Sequence, residues 1–109
     1  VGKPVAGDVV VLPFPQTNLQ QGKRRPALVV VNLPGNDLIL CQITSQAHSD
    51  AFSVAIEVGD FTAGKLAMRS YIRPNRLFTV EQSAIIYTAA HVTTAKLNET
   101  LAALRKLFV

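Results

Sequence analysis

Three cations run into a proline and then into an unbroken apolar stretch at Lys23-Arg24-Arg25-Pro26-Ala27-Leu28-Val29-Val30-Val31-Asn32. A guanidinium carries a rigid fork of donors that matches phosphate oxygens, so Arg25 is the first candidate for holding an anionic group. Residues 27–31 are rich in β-branched side chains and lack polar alternation, the pattern of a strand buried on both faces. Pro26 has no N–H for a ladder and is expected at the strand's first position, which would hold Arg25 at the strand mouth. Taken alone, the charge run reads equally as a solvated cap on a strand. A second donor set follows at Thr44-Ser45-Gln46: two hydroxyls and an amide, able to bond an oxygen ligand without bringing charge. An ordinary strand-to-loop exit has the same composition. A third patch, Arg73-Pro74-Asn75-Arg76, is basic and turn-prone. His48 is either a solvated loop histidine or a proton carrier, since an imidazole ordinarily titrates near neutrality.

The elements that must position these residues are mostly short strands. Residues 9–12 read as a first strand, ended by Pro13-Phe14-Pro15, and residues 16–24 as a polar loop. The second strand is 27–32. Leu33-Pro34-Gly35-Asn36-Asp37 bends the chain, and residues 38–44 form the third strand. Residues 52–58 alternate as a half-buried strand. A turn is expected over 59–64, a short strand over 70–73, a helical turn over 79–83 and a last strand over 84–92. Residues 93–108 have the spacing of a helix, with Leu97, Leu101, Leu104 and Phe108 on one face. Thr93 or Thr94 is its N-cap; Lys96, Asn98, Glu99 and Thr100 fall on or near its solvent side. Cys41 and Met68 are expected in the core, and residues 1–6 as a loose arm. Short strands with tight turns and one closing helix suggest a small, strongly bent sheet or barrel.

At 109 residues, 49% of them hydrophobic and 17% charged, the chain fits a single globular domain over 1–109. No run approaches the roughly 20 apolar residues of a membrane span, and no signal peptide is visible. With Val1 first, an initiator methionine is expected ahead of it. A lone cysteine excludes an internal disulfide and suits a cytoplasmic, reducing setting. Two histidines and one cysteine offer no metal-ligand spacing, so no cofactor is expected. The net charge of +4 favours anionic partners, either nucleic acid or an acidic protein segment.

Four patches line up in order: Gly7-Asp8-Val9-Val10-Val11 with Phe14-Pro15, Arg25-Pro26 with its strand, Ile43-Thr44-Ser45-Gln46, and Ser70-Tyr71-Ile72-Arg73-Pro74-Asn75-Arg76-Leu77-Phe78-Thr79. In this order and spacing the chain resembles the MazF/PemK toxin–antitoxin ribonucleases over nearly its whole length. The resemblance implies a mainly β fold with a C-terminal helix, a small SH3-like barrel of the type shared with the CcdB gyrase poisons. It also implies a homodimer and metal-independent cleavage of single-stranded RNA. The implied partner is an acidic antitoxin of the MazE/PemI kind that lays an acidic, hydrophobic segment over the RNA groove. By position it makes Arg25 and Thr44 catalytic, Arg73 a second catalytic arginine, and Ser45 and Gln46 RNA contacts. The chain departs from the family twice: residues 16–24 hold no carboxylate where some members carry a glutamate, and Asn75 stands where others carry an aspartate.

The residues support the same chemistry. RNA brings its own nucleophile, the 2′-hydroxyl, so cleavage needs in-line positioning, a charge clamp and proton handling. Arg25 and Arg73 could clamp, and Thr44 could orient an oxygen. Arg24, Asn75 and Arg76 extend the candidate RNA-binding set, with His48 as fallback proton carrier. Phe14, Phe52, Tyr71 and Phe78 offer faces on which bases could stack, core burial being the alternative for at least two. The competing function is a non-catalytic module on the same barrel, binding antitoxin or RNA, or poisoning gyrase.

Overall fold

The computed structural model describes residues 3–14, 23–46 and 52–108, with the backbone alone of Phe14 and Lys23. Seven strands and one helix follow in order: β1 Asp8–Phe14, β2 Lys23–Asn32, β3 Asp37–Thr44, β4 Val54–Ile56, β5 Phe61–Gly64, β6 Ser70–Glu81, β7 Tyr87–Val92 and α1 Thr94–Leu107. The strands form one antiparallel sheet in the order β4-β6-β3-β2-β1-β7-β5, curled into a half-barrel.

The continuous apolar runs of the central strands are explained by burial on both faces. On one face Val9, Leu28, Val30, Cys41, Ile43 and Ile72 form a core. On the other, Val10, Leu12, Ala27, Val29, Leu38 and Leu40 form a second. Helix α1 closes the first with Leu97, Leu101 and Leu104, while Phe78, Val80 and Ile85 cover the second.

Several expectations are revised. Pro26 is the fourth residue of β2, not its first. The ladder between β1 and β2 runs from Val9↔Leu28 through Val11↔Pro26 to Phe14↔Lys23, whereas pairing of β2 with β3 begins only at Ala27↔Gln42. Pro26 therefore lies just beyond the β3 ladder, paired only on its β1 side, with Val11. The predicted strand 52–58 shortens to β4, because Val58–Asp60 turns as a short 3-10 segment. Most of the turn expected over 59–64 is strand β5, paired to β7. The basic, turn-prone patch is not a turn between elements. β6 pairs with β3 on both sides of it, with Cys41↔Leu77 followed directly by Gln42↔Arg73, so Pro74, Asn75 and Arg76 bulge out of the strand. Pro74 points inward and is fully buried, and Asn75 and Arg76 are exposed. A 3-10 turn over Gln82–Ala84 shortens the last strand to β7.

Helix α1 also sits differently. Thr93 is its N-cap, accepting from the Lys96 amide at 3.1 Å, but Lys96 and Thr100 are buried while Phe108 is 76% exposed. The reason is satisfaction of the polar groups. Lys96 Nζ donates to the Ala55 carbonyl at 2.8 Å and to Glu99 Oε1 at 2.8 Å, and lies 3.4 Å from Asp60 Oδ2. Thr100 Oγ1 donates to the Lys96 carbonyl at 3.0 Å. Burial works against the charge on Lys96, yet Glu99, by hydrogen bond and charge, and Asp60 outweigh it, and the pKa is raised. Met68, expected in the core, is 65% exposed, whereas Cys41 is fully buried, which pushes its thiol up to about 12. The arm is held rather than loose from Lys3 onward: Lys3 Nζ donates to the carbonyls of Leu33 and Gly35 in the β2–β3 turn.

Candidate functional site

Strand register brings the first two donor sets together. Ala27 pairs with Gln42 as the last pair of the β2–β3 ladder; carried two residues further, that register would bring Arg25 level with Thr44, and both residues line one cleft. β6 then supplies Tyr71, paired with Thr44, and Arg73, paired with Gln42. The paired row Ala27–Gln42–Arg73 therefore lies one row behind the Thr44–Tyr71 pair, whose extension across β2 is Arg25. Adjacent strands lie about 4.8 Å apart, so a guanidinium reaches the neighbouring hydroxyl's ligand space from across one strand spacing. The Thr44 hydroxyl accepts from the Gln46 amide at 3.1 Å, which leaves its own O–H free to donate outward.

A cleft of about 680 Å³ opens over these strand ends, within the roughly 300–1,000 Å³ of ligand sites. Arg24, Arg25, Thr44 and Ser45 line one side. The other side is made by Tyr87 and Ala89 of β7 and by residues 65–68, which cross from the end of β5 towards the start of β6 as a strap. Gly64 makes that strap possible. It has φ +69°, and a Cβ there would lie 2.2 Å from the Ala89 carbonyl oxygen; only glycine fits both demands.

The cleft is electrostatically one-sided. Arg24, Arg25 and Lys65 line it and, among the described residues, no carboxylate does. None of the three cations makes an ion pair or side-chain hydrogen bond with another described residue, in contrast to Lys96 with its full set of oxygens.

Not every sequence candidate reaches this cleft. Arg73 is half-buried one row behind Thr44 and does not line it; Gln46, Asn75 and Arg76 are exposed outside its lining. Tyr71 is half-buried, with the Arg69 guanidinium 5.9 Å from its ring centre, and Phe78 packs on the second core. His48 and the side chain of Phe14 lie outside what the structure describes. Sequence reasoning missed Lys65 and Tyr87. Nothing local marks them, since the sheet's curl and the strap bring them to the arginines. Among the described residues no group of three or more His, Cys, Asp and Glu could hold a metal, and no helix is long and apolar enough to cross a membrane.

Comparison with known families matches residues 6–108 to the PemK-like, MazF-like toxins of type II toxin–antitoxin systems. Comparison with curated proteins gives no match. Among solved structures, an endoribonuclease from a mycobacterial species superposes with a TM-score of 0.76 at 17% identity, over 99% of this chain and 93% of that one. A mycobacterial endoribonuclease in complex with its cognate antitoxin gives 0.74 at 18%, over 96% and 94%. MazF from Deinococcus radiodurans gives 0.77 at 24%, over 99% and 98%. At these identities the likeness concerns the fold.

Proposed function

We propose, from the premise that this chain belongs to the PemK-like, MazF-like toxins of type II toxin–antitoxin systems, that it is an endoribonuclease cutting single-stranded RNA by attack of the RNA's own 2′-hydroxyl. The observation that carries the reading is a single cleft lined by Arg25 and Thr44 together, with Arg24 and Lys65 as further cations. A phosphodiester in the cleft would place its non-bridging oxygens against the Arg25 fork, where charge grows as phosphorus becomes pentacovalent. Thr44 would donate to one of those oxygens or orient the 2′-hydroxyl. Arg24 and Ser45 would hold flanking backbone, while Arg73, behind Thr44, would support Thr44 rather than touch the phosphate. The products would be a 2′,3′-cyclic phosphate and a 5′-hydroxyl.

The working form is proposed as a cytoplasmic homodimer, regulated by an acidic antitoxin. Structural relatives of this fold occur in complexes named for toxin and antitoxin together, and the exposed apolar Met68, Ile86 and Tyr87 at or beside the cleft suit coverage by protein. The lack of a carboxylate among the described cleft-lining residues favours the competing reading, a module that binds without cutting. The test is incubation of the purified protein with a long single-stranded RNA in EDTA, followed by mapping of ends. Discrete cuts carrying 5′-hydroxyls are expected. Intact RNA, together with tight antitoxin binding, overturns the nuclease reading.

A further inference from the structure

Cleavage by a 2′-hydroxyl has two proton problems, one at each end of the in-line axis through phosphorus. The nucleophile must lose a proton and the 5′-oxygen must gain one. Arg25 cannot serve the second need, because a guanidinium does not give up its proton in a protein. Two residues of the same cleft lining carry groups that can: Lys65, an ammonium, and Tyr87, a phenol. Lys65 is the better placed by chemistry. It meets the departing oxygen as a cation, so it attracts the developing alkoxide before it transfers the proton. An alkoxide is far more basic than an amine, so the transfer runs downhill. Its placement is also built in. Gly64 turns the chain at φ +69° against the Ala89 carbonyl, and the next residue is delivered into the cleft. Neither carboxylate nor hydrogen-bond partner among the described residues engages its ammonium.

We propose that Lys65 is the general acid that protonates the leaving 5′-oxygen, in the cleft that Arg25 and Thr44 also line. The proposal rests on the nuclease reading. In the step, the bond from O2′ to phosphorus forms and the bond from phosphorus to O5′ breaks. The electron pair of the broken bond goes to O5′, which takes a proton from Lys65 Nζ. The 2′ proton passes to solvent water in the open cleft, and the neutral Lys65 amine is reprotonated from water.

The test uses an oligoribonucleotide spanning a cut site mapped on the long RNA, and its twin with sulfur in place of the bridging 5′-oxygen at that bond. A thiolate leaves without a proton, so the twin does not need the acid. Lys65→Ala and Lys65→Arg should each slow single-turnover cleavage of the normal oligonucleotide by roughly 10²–10⁴-fold, and both should cut the sulfur twin within a few-fold of wild type. Arg25→Ala should be slow on both. Lys65 lies exposed, so circular dichroism of both variants should match wild type. Three results overturn the proposal: Lys65→Arg cutting the normal oligonucleotide like wild type, which makes Lys65 an electrostatic contact only; equal deficits on both substrates; or the sulfur-specific recovery appearing for Tyr87→Phe instead. If wild type leaves the long RNA uncut, it is the nuclease reading that fails.

Discussion

Arg24 and Arg25 are neighbours of like charge whose roles separate on geometry. Arg25 is half-buried in β2, opposite Leu12 of β1 and lining the cleft with Thr44, while Arg24 is exposed. Arg25→Ala should therefore lower cleavage by about 10²–10³-fold, the cost of losing one preorganised donor at a charged transition state, with the fold retained because β2 is held by a ladder on each side. Arg25→Lys should recover little, since a point charge lacks the fork. Arg24→Ala should cost much less, and its effect should shrink with added salt as general attraction to the backbone is screened. Asn75→Asp should leave the rate unchanged, because the exposed bulge holds that side chain away from the cleft. Rates with each variant, beside circular dichroism, check all four; equal losses at Arg24 and Arg25 would reduce both to diffuse binding.

At the scale of elements, Lys96 is what fixes α1 to the sheet. It joins the helix to the β4 carbonyl of Ala55 and to Asp60 at the turn before β5, and the Thr93 amide donates to the Asp60 carbonyl at 2.8 Å. Lys96→Met keeps the apolar stem but removes the donors, and should lower stability by about 2 kcal/mol. That is less than the 3–5 of a wholly buried pair, because Glu99 keeps 56% of its side chain in water. The sign with pH follows from the raised pKa: the lysine's contribution is complete below the ordinary lysine value and fades as pH climbs through the higher folded one. Urea unfolding at pH 7 should separate the two proteins, and strongly alkaline buffer should bring them together. This lock also explains what the sequence concealed. Leucine spacing located the helix and its hydroxyls narrowed the cap to Thr93 or Thr94, but Lys96 read as solvent-facing because the Ala55 and Asp60 oxygens that help satisfy it are distant in sequence, and Thr100 because its bond to the Lys96 carbonyl is not visible in spacing. The central strands were legible because burial on both faces leaves an uninterrupted apolar run. β5 and the long β6 were not: Gly64 and Pro74 are turn residues by local preference, and pairing with β7 and β3 overrides them. Of the cleft lining, Arg25 and Thr44 were legible from the ends of those runs, and Lys65 was not, since only the strap's crossing places it.

At the scale of the whole molecule, the net charge of +4 has a local address. Three cations without described counter-charges line one cleft, and a smaller pocket of about 180 Å³, lined by Ile56, Val58 and Phe61 beside the Glu57–Arg69 ion pair, shares Leu66, Ala67, Met68 and Ser70 with it. A partner that meets both surfaces must set acidic residues beside apolar ones, which is the composition of a disordered segment that folds on binding. A small gene next to this one should encode such a protein, and co-expression should relieve growth arrest. The two pockets let its binding be divided. Acidic contacts occupy the arginine cleft, so the segment should compete with RNA, and its affinity should fall as salt rises through the range where the Debye length drops below about 10 Å. Apolar contacts occupy the smaller pocket, so Val58→Asp, at a side chain 90% exposed and outside the cleft lining, should weaken antitoxin binding at least tenfold while RNA cleavage persists. Calorimetric titration of the antitoxin into each variant measures the first effect and the cleavage assay the second. Sedimentation of the free toxin at micromolar concentration shows in the same samples whether one cleft or two are being filled per particle. An antitoxin indifferent to both salt and Val58→Asp binds elsewhere on the barrel, and its control of the cleft would then have to come through a change of shape.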